Sequence, residues 1–225
     1  MTNASKTRAV ALAAGLAMAG GAAMAQSAGT WMVKIGVNNI DPHVKSSDLS
    51  ASSLPGTRID VKDDTSLVAT ATYMVTDDIS IELYGGLGYK HDVIGAGAIA
   101  AAGKIGSVKQ ISPTVFGQYR FLGASSALRP YVGLGLTYAH FYGERGSGAL
   151  TALTNPGGTP TRMSVESAWG VSPQVGVSYF LNSRWFVDGS VTKTFVKTTT
   201  TLSTGQAIDT KLDPVAVNLS VGYKF

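Results

Sequence analysis

Residues 213–225, at the end of this chain, leave it few ways to fold. Counting back from the terminal Phe225, the residues Tyr223, Val221, Leu219, Val217 and Val215 are apolar. Between them stand Lys224, Gly222, Ser220, Asn218, Ala216 and Pro214, which are small or polar. Successive side chains of a strand point to opposite faces, so one face is continuously apolar and the other is not. Closed by an aromatic residue, the pattern predicts the last strand of a transmembrane β-barrel.

The other end carries an export signature. Lys6 and Arg8 precede an uncharged run over residues 9–25 that ends in Ala23-Met24-Ala25, just before Gln26. A basic start, a short apolar run and small residues at a cleavage point predict a signal peptide over residues 1–25, with the barrel over 26–225. The run is short and rich in Ala and Gly for a membrane anchor. Cleavage would remove two of 18 basic residues, leaving 16 against 14 acidic ones. No dense basic patch then remains for nucleic acid. The chain has no cysteine, so stability must come from packing or from a bilayer.

Seven further alternating runs precede the last one. Their apolar faces are Trp31, Val33, Ile35, Val37; Leu67, Ala69, Ala71, Tyr73, Val75; Ile79, Ile81, Leu83, Gly85, Leu87, Tyr89; and Ile111, Pro113, Val115, Gly117, Tyr119, Phe121. The later ones are Val132, Leu134, Leu136, Tyr138; Val165, Trp169, Val171, Val175, Val177, Tyr179; and Trp185, Val187, Val191. Connections after the second, fourth and sixth runs are short, while those over residues 39–64, 90–107, 142–163 and 197–212 are long and polar. The expected fold is all-β: an eight-stranded antiparallel transmembrane β-barrel with long extracellular loops and short periplasmic turns, integral to the outer membrane of a Gram-negative bacterium. A soluble barrel of lipocalin type would turn the apolar faces inward. The opposite faces carry Lys34, Glu82, Arg120, Glu166, Asp188 and Lys224, too many charges for a dry interior. Aromatic residues, among them Trp31, Tyr73, Tyr89, Tyr119, Tyr138, Tyr179 and Trp185, sit at strand ends on the apolar face, as an interfacial girdle does.

With lipid outside, Lys34, Glu82, Arg120, Asp188 and Lys224 face the lumen in its periplasmic half. Buried charges must pair to offset their desolvation, so a polar network obstructing a straight aqueous path is expected there. Eight strands enclose little more than their own side chains. Nearer the extracellular side the lining is less charged, with Val68, Thr70, Thr72, Met74, Tyr84, Phe116, Ser190 and Thr192. It reads either as barrel filling or as a pocket for a small apolar molecule. Val68, Met74, Tyr84, Phe116 and Thr192 are the candidate channel lining. Pro113 and Pro173 each remove a ladder donor from a strand, marking candidate lateral openings or bulges without function.

Other signals weigh little. Residues 97–104 glance at a phosphate-binding loop, but the glycines are one residue too far apart and Ile105 stands where Ser or Thr is needed. His43, His91 and His140 lack the paired spacing of metal ligands, and no metal or cofactor is expected. Ser and Asp abound near the loops, yet no spacing picks out a catalytic constellation, so the chain does not read as an enzyme.

The chain resembles the outer membrane protein W (OmpW) family, which includes AlkL-type importers of alkanes. The resemblance runs from Trp31 to Phe225. It is most specific at Tyr73-Met-Val-Thr-Asp-Asp-Ile79, Arg129-Pro-Tyr-Val-Gly-Leu-Gly135, Ser167-Ala-Trp-Gly170 with Gln174-Val-Gly176, and Leu212-Asp-Pro214 before Gly222-Tyr-Lys-Phe225. It implies an eight-stranded barrel with a hydrophobic channel, blocked toward the periplasm and releasing small hydrophobic molecules through its wall. Relatives narrow the channel with bulky side chains on the third and seventh strands; the matching positions are Tyr84 and Thr192, and Thr192 is small where some relatives carry Trp. The expected partners are outer-membrane lipid and lipopolysaccharide, small hydrophobic compounds, and the barrel-assembly machinery through the C-terminal strand. Two alternatives stand beside passive uptake. One is an interaction role, with the loops binding a host surface, phage or bacteriocin. The other is a small ion-conducting pore sensitive to Glu82, Arg120 or Asp188.

Overall fold

The computed structural model describes residues 26–225, and the predicted export signal over residues 1–25 lies outside them. In chain order its strands are β1 (Trp31–Asp41), β2 (Lys45–Ser46), β3 (Thr57–Val61), β4 (Asp64–Met74), β5 (Ile79–Gly86), β6 (Tyr89–Gly97), β7 (Lys104–Ile111) and β8 (Thr114–Arg120). They continue with β9 (Leu128–Gly146), β10 (Met163–Val165), β11 (Ala168–Phe180), β12 (Trp185–Lys193), β13 (Lys197–Leu202), β14 (Ala207–Lys211) and β15 (Val215–Lys224). One short helix, α1 (Gly148–Thr154), follows β9. Strands β1, β4, β5, β8, β9, β11, β12 and β15 each pair antiparallel with the next, and β15 returns to β1. The sheet closes into an eight-stranded barrel without a free edge.

Local chemistry accounts for the tight turns at the lower end. After β4, the Thr76 hydroxyl accepts from the Asp78 and Ile79 amides. After β11, Asn182 Oδ1 accepts from the Arg184 and Trp185 amides, both at 2.9 Å. Such side chains stand in for backbone partners and set a reversal. Outward residues are apolar and open to the surroundings: Ile35 is 68 % exposed, Leu134 62 % and Leu219 64 %. A continuous apolar belt of that kind suits a bilayer. Ring clusters bound it. Trp31–Tyr73, Tyr119–Phe121 and Trp185–Tyr223–Phe225 lie below, and Tyr138–Trp169 lies above. Trp169 and Tyr179 are ten residues apart on β11, which at about 3.3 Å per residue and a tilt near 40° spans about 25 Å.

The long connections differ from the expected loops: they carry strands of their own. β3, β6 and β7 extend the wall beside the upper half of β9, while β10, β13, β14 and β2 form a second sheet. Together they raise an upper tier above the apolar belt. Its buried side chains, including Val93, Ile105, Val108, Phe141, Leu150 and Met163, form the larger apolar core of the described residues.

Three expected positions are corrected. Val165 packs inward against the apolar core of the upper tier rather than facing outward. Tyr89 lies inside, 5 % exposed, rather than in the outer girdle. Gly88 takes φ +91°, a conformation that glycine adopts freely, and the pairing shifts by one residue between Tyr84↔Thr114 and Tyr89↔Gln110. That shift inverts the inward and outward sets above it. Glu166 lies on the outside, exposed, in the link between β10 and β11.

The lumen is filled by rings lying across glycines. Tyr131 faces Gly176, Phe116 faces Gly135 and Phe186 faces Gly222, each as a direct register partner. A Cβ at Gly176 would stand 2.4 Å from the Tyr131 ring, and one at Gly222 only 2.2 Å from Phe186. Each bare glycine thus lets an aromatic side chain lie flat against the neighbouring strand. Gly176→Val should lower barrel stability by about 1–3 kcal/mol through overpacking, measured by urea unfolding from lipid vesicles. In a Tyr131→Ala background the same substitution should cost less than it does in the wild type; an equal cost in both backgrounds would mean the ring is not what the new side chain strikes.

Candidate functional site

From bottom to top the lumen changes character. The lowest layer is apolar: Met32, Met74, Phe180 and Phe186 pack together, all within 1 % of complete burial. The Phe180 and Phe186 rings stack at 4.7 Å. Met74 thus belongs at the floor rather than in the upper channel lining expected for it. It ends β4 just before the Thr76-Asp77-Asp78 turn and pairs with Ser80, and the descending strand puts its last residue lowest. Gln26, also buried, joins the floor through its amide bond to the Ala124 carbonyl.

Immediately above is a charged crossbar. Lys34 Nζ lies 2.8 Å from Glu82 Oε2 and 3.1 Å from Asp188 Oδ1. Glu82 also accepts from Thr72 at 2.7 Å, and Asp188 accepts from Tyr131 at 3.0 Å and Ser178 at 2.6 Å. Arg120 joins through neutral groups rather than a carboxylate: it donates to Ser80, Ser178 and Gln118, and its guanidinium covers the Tyr131 ring at 4.8 Å. Gln118 extends the layer to Gln174. All barrel strands except β15 supply a member. Lys224 is half-buried, paired in register with Met32 at the lower rim.

Over the crossbar lies a neck with a void of about 50 Å³, lined among others by Tyr84, Phe116, Thr192, Asn38 and Asn218. Tyr84 meets Phe116 edge to face at 6.4 Å. Val68 points inward on β4, 3 % exposed. Tyr89 also reaches this level, its hydroxyl accepting from Asn38 at 2.8 Å. Parity counting misses Tyr89 because the Gly88 shift intervenes; a glycine inside an otherwise regular alternation was the available signal.

Above the neck, and sharing Ile40, Gln110, Val196 and Pro214 with it, lies a chamber of about 120 Å³ in the upper tier. Val93, Val108, Phe141 and Met163 contribute to an apolar wall, and α1 contributes Leu150 and Leu153. The Ser147 hydroxyl caps α1 by accepting from the Leu150 amide, holding those leucines toward the void. Polar side chains also border the chamber, among them Gln110, Thr57, Thr198, Thr200, His91 and Thr210, while the surface turned to it is mostly apolar. Burial pushes the His91 imidazole below its ordinary range, against the pull of the Lys62 carbonyl, Asp64 and Asp63.

The two prolines sit in unlike surroundings. At Pro173 pairing with β9 is continuous, and the Phe195 amide bonds the Val171 carbonyl just above, bridging toward β12. Pro113 accepts from the Tyr138 amide on its β9 side. On its other side the ladder stops at Tyr84↔Thr114 and resumes at Tyr89↔Gln110. Residues 85–88 and 111–113 therefore face one another without ladder pairing between them, at the level of the neck.

Comparison with known proteins agrees with this architecture. The OmpW family profile matches residues 27–225. Outer membrane protein W of Vibrio cholerae is 31 % identical over 207 residues, covering 89 % of this chain and 91 % of the relative. Outer membrane protein AlkL of Ectopseudomonas oleovorans is 24 % identical over 202 residues, covering 88 % and 83 %. The crystal structure of OprG from Pseudomonas aeruginosa superposes with a TM-score of 0.82 at 28 % identity, covering 91 % of this chain and 99 % of that one.

The crossbar makes a stability prediction. Lys34→Met leaves Glu82 and Asp188 buried without their cation, a loss of about 3–5 kcal/mol. Lys34→Met with Glu82→Gln, which leaves Asp188 offset by Arg120, should unfold in urea closer to the wild type than Lys34→Met alone. Equal destabilisation of both variants would show that charge balance is not what Lys34 supplies.

Proposed function

The chain belongs to the OmpW family, and we propose that it is an outer-membrane channel for passive uptake of small hydrophobic molecules, released sideways through the barrel wall. The observation that carries this reading is an apolar chamber set above a double seal. An apolar solute gains by leaving water for the chamber. Onward passage through the floor would require it to displace paired buried charges and then a packed Met–Phe layer. A sideways exit at the neck avoids both. Supporting it, the wall beside the neck lacks ladder bonds between residues 85–88 and 111–113, so separating the strands there breaks few hydrogen bonds. This favours Pro113 over Pro173, where bridging bonds continue. The same double seal argues against a steady ion pore. Passage of this kind involves no chemical step, and the reading assigns no enzymatic activity.

We further propose that the outer surface of the upper tier engages lipopolysaccharide phosphates. Lys197, Lys211 and Lys45 are exposed register partners on β13, β14 and β2, and none has an ion-pair partner among the described residues. Three adjacent like charges repel, and an anionic head group would relieve them. Lys197 stands two residues above Phe195, 54 % exposed at the upper margin of the apolar belt. Changing the three lysines to Glu should lower the lipopolysaccharide that copurifies with the barrel; undiminished copurification would refute this contact.

Uptake is tested with radiolabelled n-octane in cells with and without the protein. Val108→Trp, which fills the chamber, should abolish most of the protein-dependent uptake. Leu83 and Val115 are outward register partners just below the unpaired stretch, and the chain has no native cysteine. A disulfide joining Leu83→Cys to Val115→Cys should slow uptake several-fold when oxidised and release it on reduction. Uptake indifferent to the lock would exclude exit at this seam.

A further inference from the structure

We infer that the chamber selects hydrophobic molecules bearing a hydroxyl group, with His91 receiving that hydroxyl and Thr210 offering a second polar contact. This deepens the uptake reading and rests on it. His91 Nδ1 lies 2.7 Å from the Lys62 backbone oxygen. A carbonyl can only accept, so Nδ1 must carry the proton and donate it. In the neutral ring Nε2 is then left with a lone pair, able to accept and unable to donate. That nitrogen is buried and has no hydrogen-bond partner. Across the ring face, Tyr89 stacks at 6.0 Å and holds the imidazole's plane. The Thr210 hydroxyl, on another strand of the upper tier, is also buried without a partner, and both residues line the chamber.

Buried polar atoms are nearly always satisfied, and an exception calls for a cause. Two such atoms bordering one apolar void are accounted for if the occupant brings the missing partner. The occupant's chemistry follows from Nε2, which needs an O–H or N–H donor. The rest of the lining wants an apolar body. A void of about 120 Å³ suits a single ring or a short chain, since an engineered cavity of about 150 Å³ takes benzene. A phenol or a small cyclic alcohol combines these properties, whereas a pure hydrocarbon leaves both atoms orphaned. Sites built to hydrogen-bond a ligand discriminate against an analogue lacking that group.

The test uses p-cresol and p-xylene, which have one shape and differ by a hydroxyl in place of a methyl, together with 4-methylanisole, whose oxygen cannot donate. Binding is measured on the full barrel in lipid nanodiscs, corrected for partition into empty nanodiscs. Wild-type protein should prefer p-cresol to both other probes. His91→Phe should weaken p-cresol by about fivefold to tenfold while leaving p-xylene unchanged, and Thr210→Val should act in the same direction. Equal binding of p-cresol and 4-methylanisole to the wild type would overturn the role of His91 without any variant having to fold. Equal weakening of p-cresol and p-xylene by His91→Phe would overturn it as well, and leave the apolar chamber standing. If no probe bound above partition, or if Val108→Trp left binding intact, the chamber reading itself would fall, and this inference with it.

Discussion

One ammonium group, Lys34, organises the lower half of the barrel by binding two carboxylates at once. Eight strands leave so little interior that a charge placed there cannot keep its water. Glu82 and Asp188 are therefore held where Lys34 can reach both; Thr72 and Tyr131 donate to the same oxygens that Lys34 contacts, and Ser178 takes the second oxygen of Asp188. Arg120 completes the balance of charge while bonding only neutral acceptors. Because these ions share one layer, the space above it can be apolar. The segregation of a charged crossbar from a greasy chamber follows from the cost of spreading unpaired charge through a narrow, dry interior.

Much of this is legible in residue order, for a physical reason. Alternation is a local property, and on β1, β12 and β15 nothing interrupts it, so Lys34, Asp188 and Lys224 fall on the inner face by counting alone. Height along the barrel follows from distance to a turn, and Met74 shows how easily that is misjudged: a residue next to the lower reversal belongs to the floor. Tyr89 illustrates the harder failure. One glycine at positive φ adds a residue to one strand, and every side chain beyond it changes face. Within the segment Gly88 marks where a break can fall, and the register with the neighbouring strand fixes that it does.

What sequence reading leaves out lies mostly in pairings between distant segments. The upper tier is assembled from connections that look like polar loops, because its strands are short and their apolar residues meet only across the void. The unlike surroundings of Pro113 and Pro173 depend on which neighbour each strand faces, information absent from either segment alone. The glycine–aromatic pairs are likewise visible only once register is known. Gly176 and Tyr131 are separated by much of β9 and β11 and by the residues between them.

The pairing of β1 with β15 has a bearing on how the molecule comes into being. Its partners run from Met32 with Lys224 to Asp41 with Val215, almost the full length of the chain apart. Contacts so remote form late and at a high entropic cost. Until the final strand has been synthesised and delivered, the nascent wall is an open sheet with two unsatisfied edges, each a template for association with other chains. Closure by β1 and β15 is what removes both edges at once. Before it, a chain whose finished form has no edge carries two, each disposed to pair elsewhere.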